Sequence, residues 1–314
     1  MRILFLGSSK FAVPSLQALF DWAEVEIAGV VTQPDKPQGR RLKIAVSPAM
    51  TEAERYNLPV FQPARVSGKD FISVIKEKDI DLIVTVSFGE ILRDNVLGLP
   101  KRGCINLHPS LLPGYRGASP VAGALLAGEK ITGVTTFWLS SKMDSGDIIL
   151  QKQVPVVAED SRGTLEKRLA GIGASLLVET VKIIDKGTAP RIKQDEAKAS
   201  YSNKVKKTDG LIDWQKDAVS IHNKIRAMDP WPAAYTYLDK TRIEIWKSEP
   251  GEGDEGPGPG IMKLIGKNTI GVGTGKGLLI IKELQAEGKK RITSGDFING
   301  YRIKDGRMFG SIRQ

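Results

Sequence analysis

The stretch Cys104-Ile105-Asn106-Leu107-His108-Pro109-Ser110-Leu111-Leu112-Pro113-Gly114 begins as a strand and ends as a turn. Two-residue alternation along it places Asn106 and His108 on one face. Comparable short apolar runs stand at residues 3–6, 27–31 and 82–86, and helical spacing fills residues 13–23 and 71–78 between them. Runs that are apolar on both faces need cover on both sides. Residues 1–150 therefore predict an α/β architecture, a Rossmann-like, doubly wound and mostly parallel sheet. Ligands of such a sheet sit beyond the carboxyl ends of its strands. That rule singles out residues 7–10, 32–41, 87–91 and 108–117.

Further along, residues 164–186 alternate apolar and polar positions at helical period, and Gly187 closes that helix. Residues 191–208 are Lys-rich and without a clear period, as expected of a linker. A short helix at 218–228 follows, then strand-like pieces at 234–238, 242–247, 260–265 and 277–284 separated by Gly-rich turns. That pattern predicts a small antiparallel, OB-like β-barrel. Residues 249–260, rich in Gly, Pro and acid, read as an exposed hairpin loop. The expected division is an α/β domain over 1–189, a linker over 190–208 and a barrel domain over 209–314.

The chain has 314 residues, enough for two domains that each bury a core, and its 41% hydrophobic and 26% charged content is that of a soluble globular protein. No apolar run approaches the ~20 residues of a membrane span, and the run at 3–6 is too short for a signal-peptide core. One cysteine, Cys104, excludes an internal disulfide and a thiolate metal cluster, and fits a reducing cytoplasm. It reads as a small buried strand residue. The formal net charge is +10, with 23 basic against 20 acidic residues up to position 189 and 23 against 16 from 190 onward. The excess lies mainly in the smaller C-terminal portion, which suits a polyanionic partner.

Two glycine-rich stretches are turns rather than nucleotide sites. Gly7-Ser8-Ser9-Lys10 follows a strand but lacks the later glycines that let backbone approach a pyrophosphate. Gly271-Val272-Gly273-Thr274-Gly275-Lys276-Gly277 has one residue too few for a P-loop and a glycine after its lysine, so it reads as a turn before a strand. With His108 and His222 alone, no His-rich metal site can form, and none is expected. His222, on the helix at 218–228, reads as a packing or solvated residue. His108 differs, because Asn106 and His108 together at a strand's carboxyl end are costly to bury without a purpose. Residues 135–149 add a second polar loop between apolar strands, and it carries Asp144.

At these two segments the chain resembles the folate-dependent formyltransferase family, which shares an Asn-x-His-x-Ser-Leu-Leu-Pro stretch, here residues 106–113, and a Met-Asp-x-Gly-x-Ile-Ile loop, here 143–149. Both are intact and in order. Residues 32–42, 226–232, 283–289 and 296–300 extend the resemblance to members whose acceptor is methionine esterified to initiator tRNA.

The resemblance implies that the chain moves the formyl group of 10-formyltetrahydrofolate to an amine without a metal, acting as a monomer. Asn106 and His108 would donate to the oxygen on which negative charge develops, and Asp144 would favour charged His108 and relay the amine's proton to the leaving nitrogen. Phe88, Gly89, Ile91, Ser110, Leu111, Leu112 and Pro113 resemble the walls of the folate pocket, and Thr135 a residue that orders the site. For tRNA the candidates are Lys36, Arg40, Arg41 and Lys43 at a strand's carboxyl end, Lys204, Lys206 and Lys207 in the linker, and Lys289, Lys290 and Arg291 in the barrel.

Two other readings use the same residues. A formyltransferase acting on a small amine, such as glycinamide ribonucleotide or an amino sugar, explains the motifs and leaves the basic C-terminal domain without a task. An RNA-binding protein with a decayed catalytic domain explains the charge and leaves the intact Asn106, His108 and Asp144 unexplained.

Overall fold

The structure, a computed structural model, describes residues 1–38, 43–253 and 256–310. The chain divides into two compact units, one formed by residues 1–120, 131–155 and 166–203, the other by 121–130, 156–165 and 204–314.

The first unit is built on a seven-stranded sheet in the order Ile148–Pro155, Ile131–Trp138, Cys104–His108, Leu82–Val86, Arg2–Gly7, Glu26–Val31, Val60–Phe61. The last five are mutually parallel; Ile131–Trp138 runs antiparallel to Cys104–His108, and Ile148–Pro155 antiparallel to it in turn. Ile3, Leu4, Phe5, Leu6, Ile83 and Val84 are wholly buried, the cover on both faces that makes a strand apolar on both sides. Among the helices, Pro48–Arg55 starts on Ser47, whose Oγ accepts from the Met50 amide at 3.1 Å. Lys69–Glu77 buries Phe71 and Ile75, one turn apart, against Val66, Ile80 and Ile83. Strand order reverses about Arg2–Gly7, and there the loops beyond the strands meet. Ser9 Oγ donates to Ser87 Oγ at 2.8 Å, and the Gln33 amide donates to Ser8 Oγ at 2.9 Å.

The segment that reads as a linker in sequence packs, up to residue 203, within this first unit. Ile192 bridges Ile148, and Tyr201–Ser202 pairs in parallel with Arg116–Gly117. It carries no apolar period because it is attached through polar groups and backbone.

The second unit holds an antiparallel sheet in the order Ala234–Leu238, Thr241–Pro250, Leu278–Ala286, Thr269–Gly273, Met262–Ile265, with Ile292–Thr293 also on Leu278–Ala286. The helix Ala218–Met228, capped by Asp217, buries Ile221, Ile225 and Met228. Residues 307–310 join the sheet's two edges: the amides of Met262 and Phe309 donate to the carbonyls of Arg307 and Gly260, while Gly310 exchanges two bonds with Tyr237. The sheet is thereby closed as a barrel. Thr269–Gly273, which in sequence reads in part as a turn, is a strand. Its glycine content weakens the pattern, yet a Cβ at Gly273 would stand 2.1 Å from the Gly258 carbonyl oxygen, so no side chain fits there.

Candidate active site

The strand Cys104–His108 presents Asn106 and His108 at its carboxyl end, Asn106 between Thr85 and Phe137 on the flanking strands and His108 opposite Thr135. His108 is almost wholly buried. Its Nε2 lies 3.0 Å from the Tyr115 carbonyl oxygen, which can only accept, so Nε2 carries the hydrogen. Its Nδ1 faces Asp144 Oδ2 at 3.8 Å. The Thr85 hydroxyl stands 2.8 Å from Asn106 Oδ1 and 2.9 Å from the Ile105 carbonyl. A hydrogen bond to Oδ1 leaves the Asn106 NH2 group free to donate elsewhere.

Asp144 sits in the left-handed region, with φ 47°. Its carboxylate accepts from the Gly117 amide at 2.8 Å, so the loop after one strand holds the acid of the next. Gln194 Nε2 donates to the carbonyls of Asp144 and Gly146, both at 2.8 Å. Gly146 is obligatory, because a Cβ would fall 1.7 Å from the Trp138 carbonyl oxygen.

Thr135 is wholly buried and ties three segments together. Its hydroxyl donates to the Ser110 carbonyl at 2.6 Å and accepts from the Leu112 amide at 3.1 Å and Gln151 Nε2 at 2.9 Å. Ser110 is buried as well, its Oγ donating to the Gly114 carbonyl at 2.6 Å. Leu112 packs with Phe137 and Ile148, and Leu111 and Pro113 are half-buried.

The loop beyond Leu82–Val86 is divided. Phe88 is buried in the core with Leu92 and Val96. Gly89 and Ile91 instead line a cavity of about 590 Å³ with Ala64, Arg65, Ser67, Glu90 and Arg93. That size suits a small-molecule ligand. Neither Asn106, His108 nor Asp144 lines it.

The residues that sequence reading overlooked are Thr85, Gln151, Gln194 and Arg116. Arg116 is buried and forms a bidentate pair with the exposed Glu196, whose carboxylate lies 2.8 and 2.9 Å from Nη2 and Nη1. Hydrogen bonding to each other holds the guanidinium above, and the carboxyl below, its ordinary pKa. Arg116 stands in the loop 108–117 that the sheet rule singles out and could have been found there; Gln194 stands in a stretch with no pattern. Cys104 is buried, and burial pushes its thiol up to about 12, which removes it as a nucleophile.

Of the basic candidates, Arg40 and Arg41 lie outside the described residues, and Lys36 and Lys43 fall on the paired strands Lys36–Gln38 and Lys43–Ala45. Lys204, Lys206, Lys207, Lys289, Lys290 and Arg291 are all exposed. The Arg291 guanidinium lies over the Trp246 ring, 3.5 Å from its centroid. Among the described residues no group of three or more His, Cys, Asp or Glu could hold a metal ion, and no helix is long and apolar enough to cross a membrane.

Comparison with known proteins gives a consistent result. Residues 1–181 match the Formyl transferase family and residues 204–302 the Formyl transferase, C-terminal domain family. The methionyl-tRNA formyltransferase of Pelotomaculum thermopropionicum is 42% identical over 312 residues, covering 99% of each chain. That of Citrifermentans bemidjiense is 41% identical over 310 residues, 99% of this chain and 96% of the other. In fold, the chain is similar to a Helicobacter canadensis N-formyltransferase solved with folinic acid and dTDP-3-aminofucose, with TM-score 0.67, 20% identity and coverage of 92% and 99%. It is also similar to glycinamide ribonucleotide transformylase 1 of Symbiobacterium toebii, with TM-score 0.51, 23% identity and coverage of 62% and 93%.

Proposed function

The chain belongs to the formyl transferase family, and on that footing we propose that it transfers the formyl group of 10-formyltetrahydrofolate to the amino group of methionyl-tRNA. The observation that carries the acceptor is the length of the match. Relatives named for that reaction align along 99% of the chain at 41–42% identity, through both domains. Possession of a C-terminal domain would not decide it alone, since a neighbour solved with an amino-sugar nucleotide shares the fold over 92% of the chain. The positive balance from residue 190 onward adds weight to a polyanionic acceptor.

Attack of a neutral amine on the formyl carbon places negative charge on the carbonyl oxygen and positive charge on the attacking nitrogen. The Asn106 amide, oriented by Thr85, donates to that oxygen, and His108 donates through Nδ1 once protonated there. A single such donor contributes on the order of 3–4 kcal/mol of transition-state stabilisation. Asp144, whose carboxylate is fixed by the Gly117 amide, accepts the amine's proton through water and delivers it to the departing folate nitrogen. The folate chemistry fits the residues present: exposed backbone at Gly89 and Ile91 for polar ring edges, and Arg65 and Arg93 on the same cavity for an acidic tail. The enzyme works in the cytoplasm as a monomer, with Lys204, Lys206, Lys207, Lys289, Lys290 and Arg291 meeting tRNA phosphates and residues 36–43 reaching the acceptor stem.

A formylation assay offering charged initiator tRNA, glycinamide ribonucleotide and an amino-sugar nucleotide side by side, with one folate donor, tests this reading. Formylated methionyl-tRNA as the main product is expected. Preference for either small amine would overturn the acceptor, and no transfer to any would overturn the activity.

A further inference from the structure

Gln194 uses its whole hydrogen-bonding capacity behind the loop that carries Asp144. Its Oε1 accepts from Arg116 Nε at 3.1 Å and Nη2 at 2.8 Å, and its Nε2 donates at 2.8 Å to each of the Asp144 and Gly146 carbonyls. A primary amide has two donors and two acceptor lone pairs, so nothing is left over. Turned over, the amide would set its hydrogens against a guanidinium and its oxygen against two carbonyls. Arg116 thus fixes which way round Gln194 sits, and Glu196 fixes Arg116 from the other side.

The loop needs such a clamp. Asp144 holds a left-handed backbone that side-chain-bearing residues disfavour, and conformations of that kind persist where the surroundings over-determine them. Two residues on, Gly146 is pressed against the Trp138 carbonyl. Between these points one side chain holds both carbonyls, while the Gly117 amide holds the carboxylate. The 3.8 Å approach of Asp144 to His108 Nδ1 depends on the loop keeping this shape.

We propose that Gln194, oriented by Arg116, is a positioning residue for formyl transfer: by holding the Asp144 and Gly146 carbonyls it keeps the Asp144 carboxylate facing His108. This rests on Asn106, His108 and Asp144 forming the reacting centre. Gln194 touches no reacting atom, so its effect passes through Asp144.

The test is single-turnover formylation of methionyl-tRNA by full-length wild type, Gln194→Glu, Asp144→Asn and the double variant, with steady-state KM for both substrates and thermal unfolding alongside. Gln194→Glu keeps the size and the acceptors toward Arg116 but turns oxygen toward two carbonyls. The expected result is a rate lower by roughly 10- to 100-fold, the scale of a misplaced catalytic group, with both KM values within about twofold. In the Asp144→Asn background the same substitution should cost less than about twofold more, because the group it positions is already lost. Equal losses in both backgrounds, or a wild-type rate in Gln194→Glu, would overturn the proposal. Gln194→Ala repeats the cycle should the glutamate variant fold poorly. Wild type that is folded but inactive would instead sink the functional reading itself, so the two failures are distinguishable.

Discussion

His108 donates from Nε2 to the carbonyl oxygen of Tyr115 at 3.0 Å, and this leaves Nδ1 as the nitrogen facing Asp144. The tautomer is therefore set by backbone, and the carboxylate lies on the side of the ring opposite that hydrogen bond. Tyr115 is itself held by Ser200, whose Oγ accepts its amide at 2.9 Å.

Removing the donors is expected to act on rate rather than on binding. Asn106→Ala should lower kcat by about 10²- to 10³-fold, as loss of one preorganised donor does. His108→Ala and Asp144→Ala should each cost about 10²- to 10⁴-fold. Stopped-flow or quenched formylation checks the rates and thermal unfolding checks the fold. Near-normal turnover in a folded variant would end the role given to that residue.

Thr135 offers a test of the scaffold. Thr135→Val keeps the shape but leaves the buried Leu112 amide without its acceptor, which should cost about 1–3 kcal/mol in urea denaturation. Thr135→Ser keeps the hydroxyl and should lose about 0.8 kcal/mol for one buried carbon. Indistinguishable stabilities would show that the hydroxyl's three contacts contribute nothing.

A pH effect is expected from His222. Burial, and next the Arg226 cation, pushes its pKa from the ordinary 6.5 to about 4, and Nδ1 lies 3.1 Å from Ser248 Oγ. Above pH 6.5 the ring is neutral in both the folded and unfolded states and has no effect. Between 6.5 and about 4 the unfolded chain takes up a proton that the fold refuses, so stability falls as pH falls. Nearby Glu249 favours the proton and Lys130 opposes it. His222→Gln should remove part of the difference between urea midpoints at pH 7 and pH 5; an unchanged difference would count against it.

Arg40 and Arg41 test the acceptor stem contact by function. Arg40→Ala with Arg41→Ala should weaken use of tRNA, more so at low than at moderate salt because the salt dependence becomes shallower, with folate affinity nearly unchanged. Equal loss toward both substrates would refute a tRNA role for these residues.

The sheet of the first unit was legible because burial on both faces leaves no room for polar residues in strands such as Ile3 to Leu6, and period two put Asn106 and His108 side by side. The Tyr201–Ser202 pairing with Arg116–Gly117 was not legible, since its bonds join groups about 85 positions apart. Gln194 was hidden for the same reason. A lone amide in a polar stretch gains meaning only from the Arg116 and Asp144 that the fold brings to it. Phe88 marks a limit of the pattern, because an aromatic beside a glycine loop can face a ligand or the core, and periodicity does not choose between them. Thr269–Gly273 was half-lost because the glycines that let backbones approach also erase the strand signal.

The pairing of residues 307–310 with both Tyr237 and the Gly260–Met262 segment also sets an order of assembly. Every strand of the first unit's sheet has been synthesised by Pro155, so that sheet can form while the chain is still on the ribosome. The second unit keeps two open sheet edges until residue 310 emerges, and open edges invite pairing with other chains. A nascent chain stalled before residue 307 should therefore show a protease-resistant first unit and a protease-sensitive second one.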